Sequence, residues 1–134
     1  MELPIYKIKN VDIKNLKATS PLDIWFNALV QKERSQLNLS DISRMLRQDI
    51  YIDLALPLAW DRLVDDPLAG EMYEGQLLEL VESALKKNVG QRDKQRYLLL
   101  KSKASEVVEH YPWQDASDQE NYKKILSGLE DIFR

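Results

Sequence analysis

Carboxylates are the side chains in this 134-residue sequence that cluster tightly enough to suggest a site. Between Asp49 and Glu82 stand nine of them (Asp49, Asp53, Asp61, Asp65, Asp66, Glu71, Glu74, Glu79 and Glu82) against one base, Arg62. The block carries a formal −8 on a chain whose total is −3, so everything outside it sums to +5. Such a block could hold a hard cation, supply an acid–base pair or meet a basic partner. Asp61 and Asp65 sit at i, i+4 and share a helix face, with Asp66 beside them. A hard-metal site needs several converging oxygens, usually brought round by a turn, and one acidic pair falls short of that. No metal is therefore assigned.

Other catalytic chemistry finds little material. His110 is the only histidine, which excludes a His-based metal cluster, and beside Pro112 it reads as a surface or capping residue. There is no cysteine, and no GxSxG, Walker A, GxGxxG or HExxH pattern. The sequence thus assigns no catalytic residue and no cofactor, and the chain is expected not to be an enzyme. The acidic block remains as a solvated face or a partner-binding one.

A basic stretch opposes it. Lys86, Lys87, Arg92, Lys94, Arg96, Lys101 and Lys103 face a single acid, Asp93. Such a segment could track phosphates, which makes a small regulatory or nucleic-acid-binding protein the alternative reading. On a helix, however, these positions do not share one side, Tyr97 is the only interleaved aromatic, and the pI is near 5.2. A solvated face, or pairing with the acidic block, is the favoured account.

The elements that position these charges are helical. Ser20 caps a helix with Pro21 at its first position, and Leu22, Trp25, Phe26, Leu29 and Val30 make its apolar stripe to about Ser35. That stripe is expected to dock on a central spine, Ile50 to Val64. Ser40 opens a short second helix with Ile42, Met45 and Leu46 facing inward. Ile50, Ile52, Leu54 and Leu56 alternate as in a strand, but Ile50, Leu54 and Leu58 also fit the helical period, and the run continues past Trp60 to Val64. A central helix kinked at Pro57 is expected. Asp65-Asp66-Pro67 ends it. Leu77, Leu78, Val81, Ala84 and Leu85 stripe a fourth helix, a fifth spans about Gln91 to His110, and Ser117 with Glu120 caps the last. Residues 1–19 lack a helical period and read as an extended arm.

The expected fold is therefore all-α, a single domain over residues 1–134: an arm over 1–19 and a body of about six helices over 20–134 around the central apolar one. An apolar fraction of 44% and a charged fraction of 31% fit a globular chain of this length. Neither a secretory signal nor a membrane span is legible, so a cytoplasmic location is expected.

Several phrases of the chain carry a resemblance. Trp25-Phe26, Arg47-Gln48, Pro57 to Ala59, Asp66 to Leu68 and Tyr73 to Leu78 resemble, from about Leu22 to Val81, the immunity proteins of bacterial contact-dependent growth inhibition, the CdiI group. Gln76 stands where that pattern has an acid. The resemblance implies a cytoplasmic inhibitor that binds a cognate CdiA C-terminal toxin domain one-to-one. Such toxins are often nucleases, which must be basic to hold their substrate. Asp61, Asp65, Asp66, Glu71, Glu74 and Glu79 would then supply the toxin-binding face, with Tyr73 as an aromatic anchor. Leu77, Leu78, Pro57 and Gly75 are better assigned to the fold.

Overall fold

The structure, a computed structural model, describes residues 2–134. Its helices are α1 Ile5–Ile8, α2 Pro21–Leu29, α3 Leu39–Gln48, α4 Ile52–Asp65, α5 Gln76–Lys87, α6 Lys94–His110 and α7 Ala116–Phe133. The fold is all-α. The described residues contain no strand, only one isolated bridge between Pro4 and Glu33. The six expected helices are α2 to α7. The seventh, α1, is a single turn inside the arm expected to be extended; Met1 lies outside the described residues. The chain divides into two compact units, Met1–Asp41 and Ile42–Arg134.

In the first unit, Ser20 caps α2 as its sequence demands, its hydroxyl accepting from the Asp23 N–H at 3.1 Å, with Pro21 following. The helix stops at Leu29 instead of reaching Ser35. The carbonyls of Val30 and Lys32 accept instead from the N–H groups of Tyr6 and Ile5, at 2.7 and 2.9 Å. The arm therefore takes the bonds that a longer helix would have used. Lys32, just past the end of α2, reaches Asp41 at 2.8 Å.

Asp41 ties this unit together. Its carboxylate accepts from the Trp25 indole, the Lys32 ammonium and the Asn38 N–H, while Asn38 accepts from the Asp41 N–H. The last two bonds form a reciprocal capping box, so α3 begins from Asn38 and not from Ser40. Burial raises the Asp41 pKa, but the bonds from Lys32, Asn38 and Trp25 outweigh it and hold the carboxyl below its ordinary range. A depressed carboxyl stabilises the fold above its unfolded pKa of about 4, and that stability is lost as pH falls through the folded value. Asp41→Asn is expected to cost about 1–2 kcal/mol at pH 7 in urea unfolding. The gap from the parent should close on acidification; a gap unchanged down to pH 2 would contradict the assignment.

In the second unit α4 touches α5 and α6, and α7 touches the same two, so the four helices form a ring of neighbours. From Ile52 the spine is a helix, as its 3.6-residue spacing implies, whereas Ile50 and Tyr51 stand before its first turn. Ile52, Leu54, Ala55, Leu56, Ala59, Trp60 and Leu63 are buried along it. Pro57 remains inside α4. A proline there costs about 3 kcal/mol, and burying several large apolar side chains at about 1.5–3 kcal/mol each offsets it. At the centre, Trp60 meets Phe133 edge-on at 6.2 Å, and Phe133 stacks on Tyr97 at 4.4 Å. α6 starts at Lys94 behind an Asp93 cap, three residues past the expected start at about Gln91, and the cap of α7 is Asp115 and not Ser117; each aspartate accepts an N–H of the first turn.

Candidate functional site

The chain between α4 and α5 carries three of the nine carboxylates of the acidic block, Asp66, Glu71 and Glu74, and its backbone bonds inward. Asp66 ends α4 and accepts from the Leu68 N–H at 3.1 Å; Gly75 N–H donates to the Leu68 carbonyl and Leu77 N–H to that of Ala69. Gln76 is buried, and its side-chain oxygen accepts from the Met72 N–H at 2.9 Å, so this residue serves the loop itself. Gly75 takes a φ of +88°, and a Cβ there would stand 2.7 Å from the Tyr122 ring. Glycine meets both demands. Tyr122 is 2% exposed and donates its hydroxyl to the Pro67 carbonyl at 2.7 Å, which pins the loop to α7.

Beside this loop lies a groove of about 1070 Å³. One wall comes from Tyr73, Glu74 and the outer face of α5 with Glu79, Glu82 and Ser83; the other comes from Tyr111 to Gln114 and the start of α7. Helical spacing makes the first wall: with Leu77, Leu78, Val81, Ala84 and Leu85 buried, positions 79 and 83 stay exposed and 82 lies half-buried at the edge of the core. The second wall is aromatic. Tyr111 and Trp113 meet edge-on at 4.8 Å, and Trp113 lies 5.9 Å from Tyr122. Two donors fix this turn to the end of α6, since the Trp113 indole and the Gln119 amide both reach the Val108 carbonyl, at 3.0 and 2.8 Å.

The groove is acidic. Glu74, Glu79, Glu82 and Asp118 line it against one base, Lys124. Tyr73 donates its hydroxyl to Glu79 at 2.9 Å; burial, then that carboxylate, push the phenol pKa up. The Glu82 side chain is only 13% exposed, and Lys86 approaches it at 3.9 Å. Burial raises the Glu82 pKa, Lys86 offsets part of the rise and Glu79 adds to it. Gly128 of α7 makes room for this carboxylate, because a Cβ at that position would run into it.

The expected site residues thus divide. Tyr73, Glu74 and Glu79 share the groove. Asp61, Asp65, Asp66 and Glu71 do not line it. Asp61 is exposed but pairs with Arg96 at 2.6 Å, Asp66 is used by its turn, Glu71 approaches Arg47 at 3.7 Å, and Asp65 is exposed at the end of α4. Glu82, Tyr111, Trp113 and Asp118 join the site without having been anticipated. The Tyr111-Pro112-Trp113 break was the available signal, two large aromatics at a helix end. The basic segment is partly paired with its neighbours, although every one of its bases but Arg96 stays exposed. Arg96 also donates to the Pro57 carbonyl, Lys103 to that of Val64, and Lys101 approaches Glu130.

The model of one family, the CDI immunity proteins, matches residues 7–97, more than half of the chain. The chain belongs to the CDI immunity proteins. No curated protein matches it. The match extends on both sides of the stretch whose wording carries the resemblance. It contains the first wall of the groove and stops before the second, so this CDI immunity protein builds its aromatic wall from sequence beyond the matched region. Among the described residues, no helix is long and apolar enough to cross a membrane.

Proposed function

We propose that this CDI immunity protein binds the C-terminal toxin domain of its cognate CdiA one-to-one, in the cytoplasm, and blocks it without catalysis of its own. The acidic face of residues 49–82 meets a basic surface of the toxin, a nuclease whose cleft must attract phosphate. The observation that supports this most strongly is the groove, where four carboxylates and four aromatic side chains, Tyr73, Tyr111, Trp113 and Tyr122, line one cavity. Charge complementarity steers association, and aromatic anchors in a concave site hold the complex once formed. The alternative, nucleic acid along Lys86 to Lys103, is disfavoured by the commitment of Arg96, Lys101 and Lys103 to neighbouring carboxylates and carbonyls.

On this reading the two parts of the acidic face act differently. The triple variant Asp65→Asn, Asp66→Asn, Glu71→Gln lies outside the groove and should slow association about threefold to tenfold, flatten its salt dependence and leave dissociation unchanged. Stopped-flow binding to the toxin domain encoded immediately upstream would measure this. Association at the parent rate in the folded variant would remove that edge from the interface.

A further inference from the structure

We infer that the groove receives an arginine side chain of the protein partner, its guanidinium paired with Glu82 and lying against the aromatic wall of Tyr111 and Trp113. This deepens the toxin-inhibitor reading and rests on it for the identity of the partner.

Three observations in the second unit carry the inference. The first is composition: the lining holds carboxylates from the loop, α5 and α7, aromatic rings from the 111–113 turn and α7, and one base, Lys124. A cation is the complement of such a lining. The second is the construction around Glu82. Its side chain is 13% exposed and its nearest ammonium, on a Lys86 that is itself 61% exposed, stands at 3.9 Å, beyond a good charge-assisted hydrogen bond. Glycine within α7 costs about 1 kcal/mol relative to alanine, yet Gly128 occupies the position where any side chain would displace the Glu82 carboxylate. The fold therefore keeps a mostly buried carboxylate under-paired and clears space for it. The third is the wall. Tyr111 and Trp113 are half-buried and held by a 3.0 Å bond from the Trp113 indole, so they form a pre-set aromatic surface.

Arginine fits this combination better than lysine. Its planar guanidinium stacks on aromatic rings, gives up water more readily than an ammonium, and can reach more than one carboxylate with its five donors. Glu79 is the natural second acceptor, released by rotation of the Tyr73 hydroxyl that now holds it.

The test uses the full chain and acetyl-Gly-Arg-Gly-amide as probe, with lysine or uncharged citrulline replacing the arginine in two controls. Binding is followed by the NMR shifts of the backbone N–H groups of Ser83 and Gln114, which line the groove. The arginine peptide should give a saturable shift, the lysine peptide one at least threefold weaker, and citrulline none. Glu82→Gln should lose at least tenfold in affinity for the arginine peptide, and Trp113→Phe should retain more of it than Trp113→Ala. Equal response to arginine and citrulline, or an unchanged Glu82→Gln, would overturn the proposal. Titration with the upstream-encoded toxin domain separates the two readings. A toxin that binds parent and Glu82→Gln alike overturns the arginine site alone. A toxin that fails to bind, beside a peptide response of the expected pattern, overturns the inhibitor reading and leaves the site standing.

Discussion

Tyr122→Ala is expected to destabilise the unit Ile42–Arg134 by about 3–5 kcal/mol, the usual cost of truncating a buried aromatic to alanine. The ring fills space against Gly75 and Trp113, and the hydroxyl donates to the Pro67 carbonyl. Burial, with the Asp66 charge adding to it, drives the phenol pKa far above its ordinary range, so the hydroxyl stays protonated and keeps donating at any working pH. Tyr122→Phe separates the two contributions. It keeps the ring and leaves the Pro67 carbonyl without that donor, for about 1–2 kcal/mol. Urea unfolding of both variants measures the difference. Equal costs would mean that the hydroxyl, not the packing, holds the loop. An alanine cost under 1 kcal/mol would mean that loop and α7 are not joined here.

The second large effect has opposite signs for stability and binding. Glu79→Gln with Glu82→Gln removes two groove carboxylates and is expected to weaken the toxin complex about 100-fold, roughly 2.7 kcal/mol, mainly through faster dissociation. Glu82 should behave in the reverse way in folding. Its folded pKa is raised, by burial first, so its ionised form is disfavoured in the native state. A raised carboxyl contributes stability below its unfolded pKa of about 4, and that contribution is lost as pH rises through the folded value. At pH 7 the single variant Glu82→Gln should therefore melt no lower than the parent, while binding more weakly. Parent and variant should differ least in acid. A variant that melts lower at pH 7 and binds as tightly would assign Glu82 to packing.

Much of the helical order is written in local signals. Ser20-Pro21 is a start that no neighbour contests, and α2 begins there. Around α3 the sequence points to Ser40, and the reciprocal bonds between Asn38 and Asp41 set the start two residues earlier. The spine's first eight residues alternate like a strand. Burial at Ala55, Ala59, Trp60 and Leu63 follows the longer helical period and settles it. Where α2 ends is not legible locally, because the competing donors belong to Ile5 and Tyr6. The site follows the same logic. Acidity from Asp49 to Glu82 is visible in the composition, whereas its division is not. Asp61 is drawn into an ion pair by an arginine 35 positions away, and Glu82 acquires its aromatic neighbours from a turn that begins at Tyr111. Only packing α5 beside α7 brings those pieces together.

As proposed, this CDI immunity protein holds a basic toxin through an acidic, aromatic-walled groove. The most direct test is calorimetric titration with the toxin domain encoded immediately upstream, at low and at physiological salt, for the parent and for Glu79→Gln/Glu82→Gln. Tight one-to-one binding that weakens with salt is expected, with the double variant about 100-fold weaker and shallower in its salt dependence. Tight binding indifferent both to salt and to the two substitutions would contradict it and move the interface away from the groove.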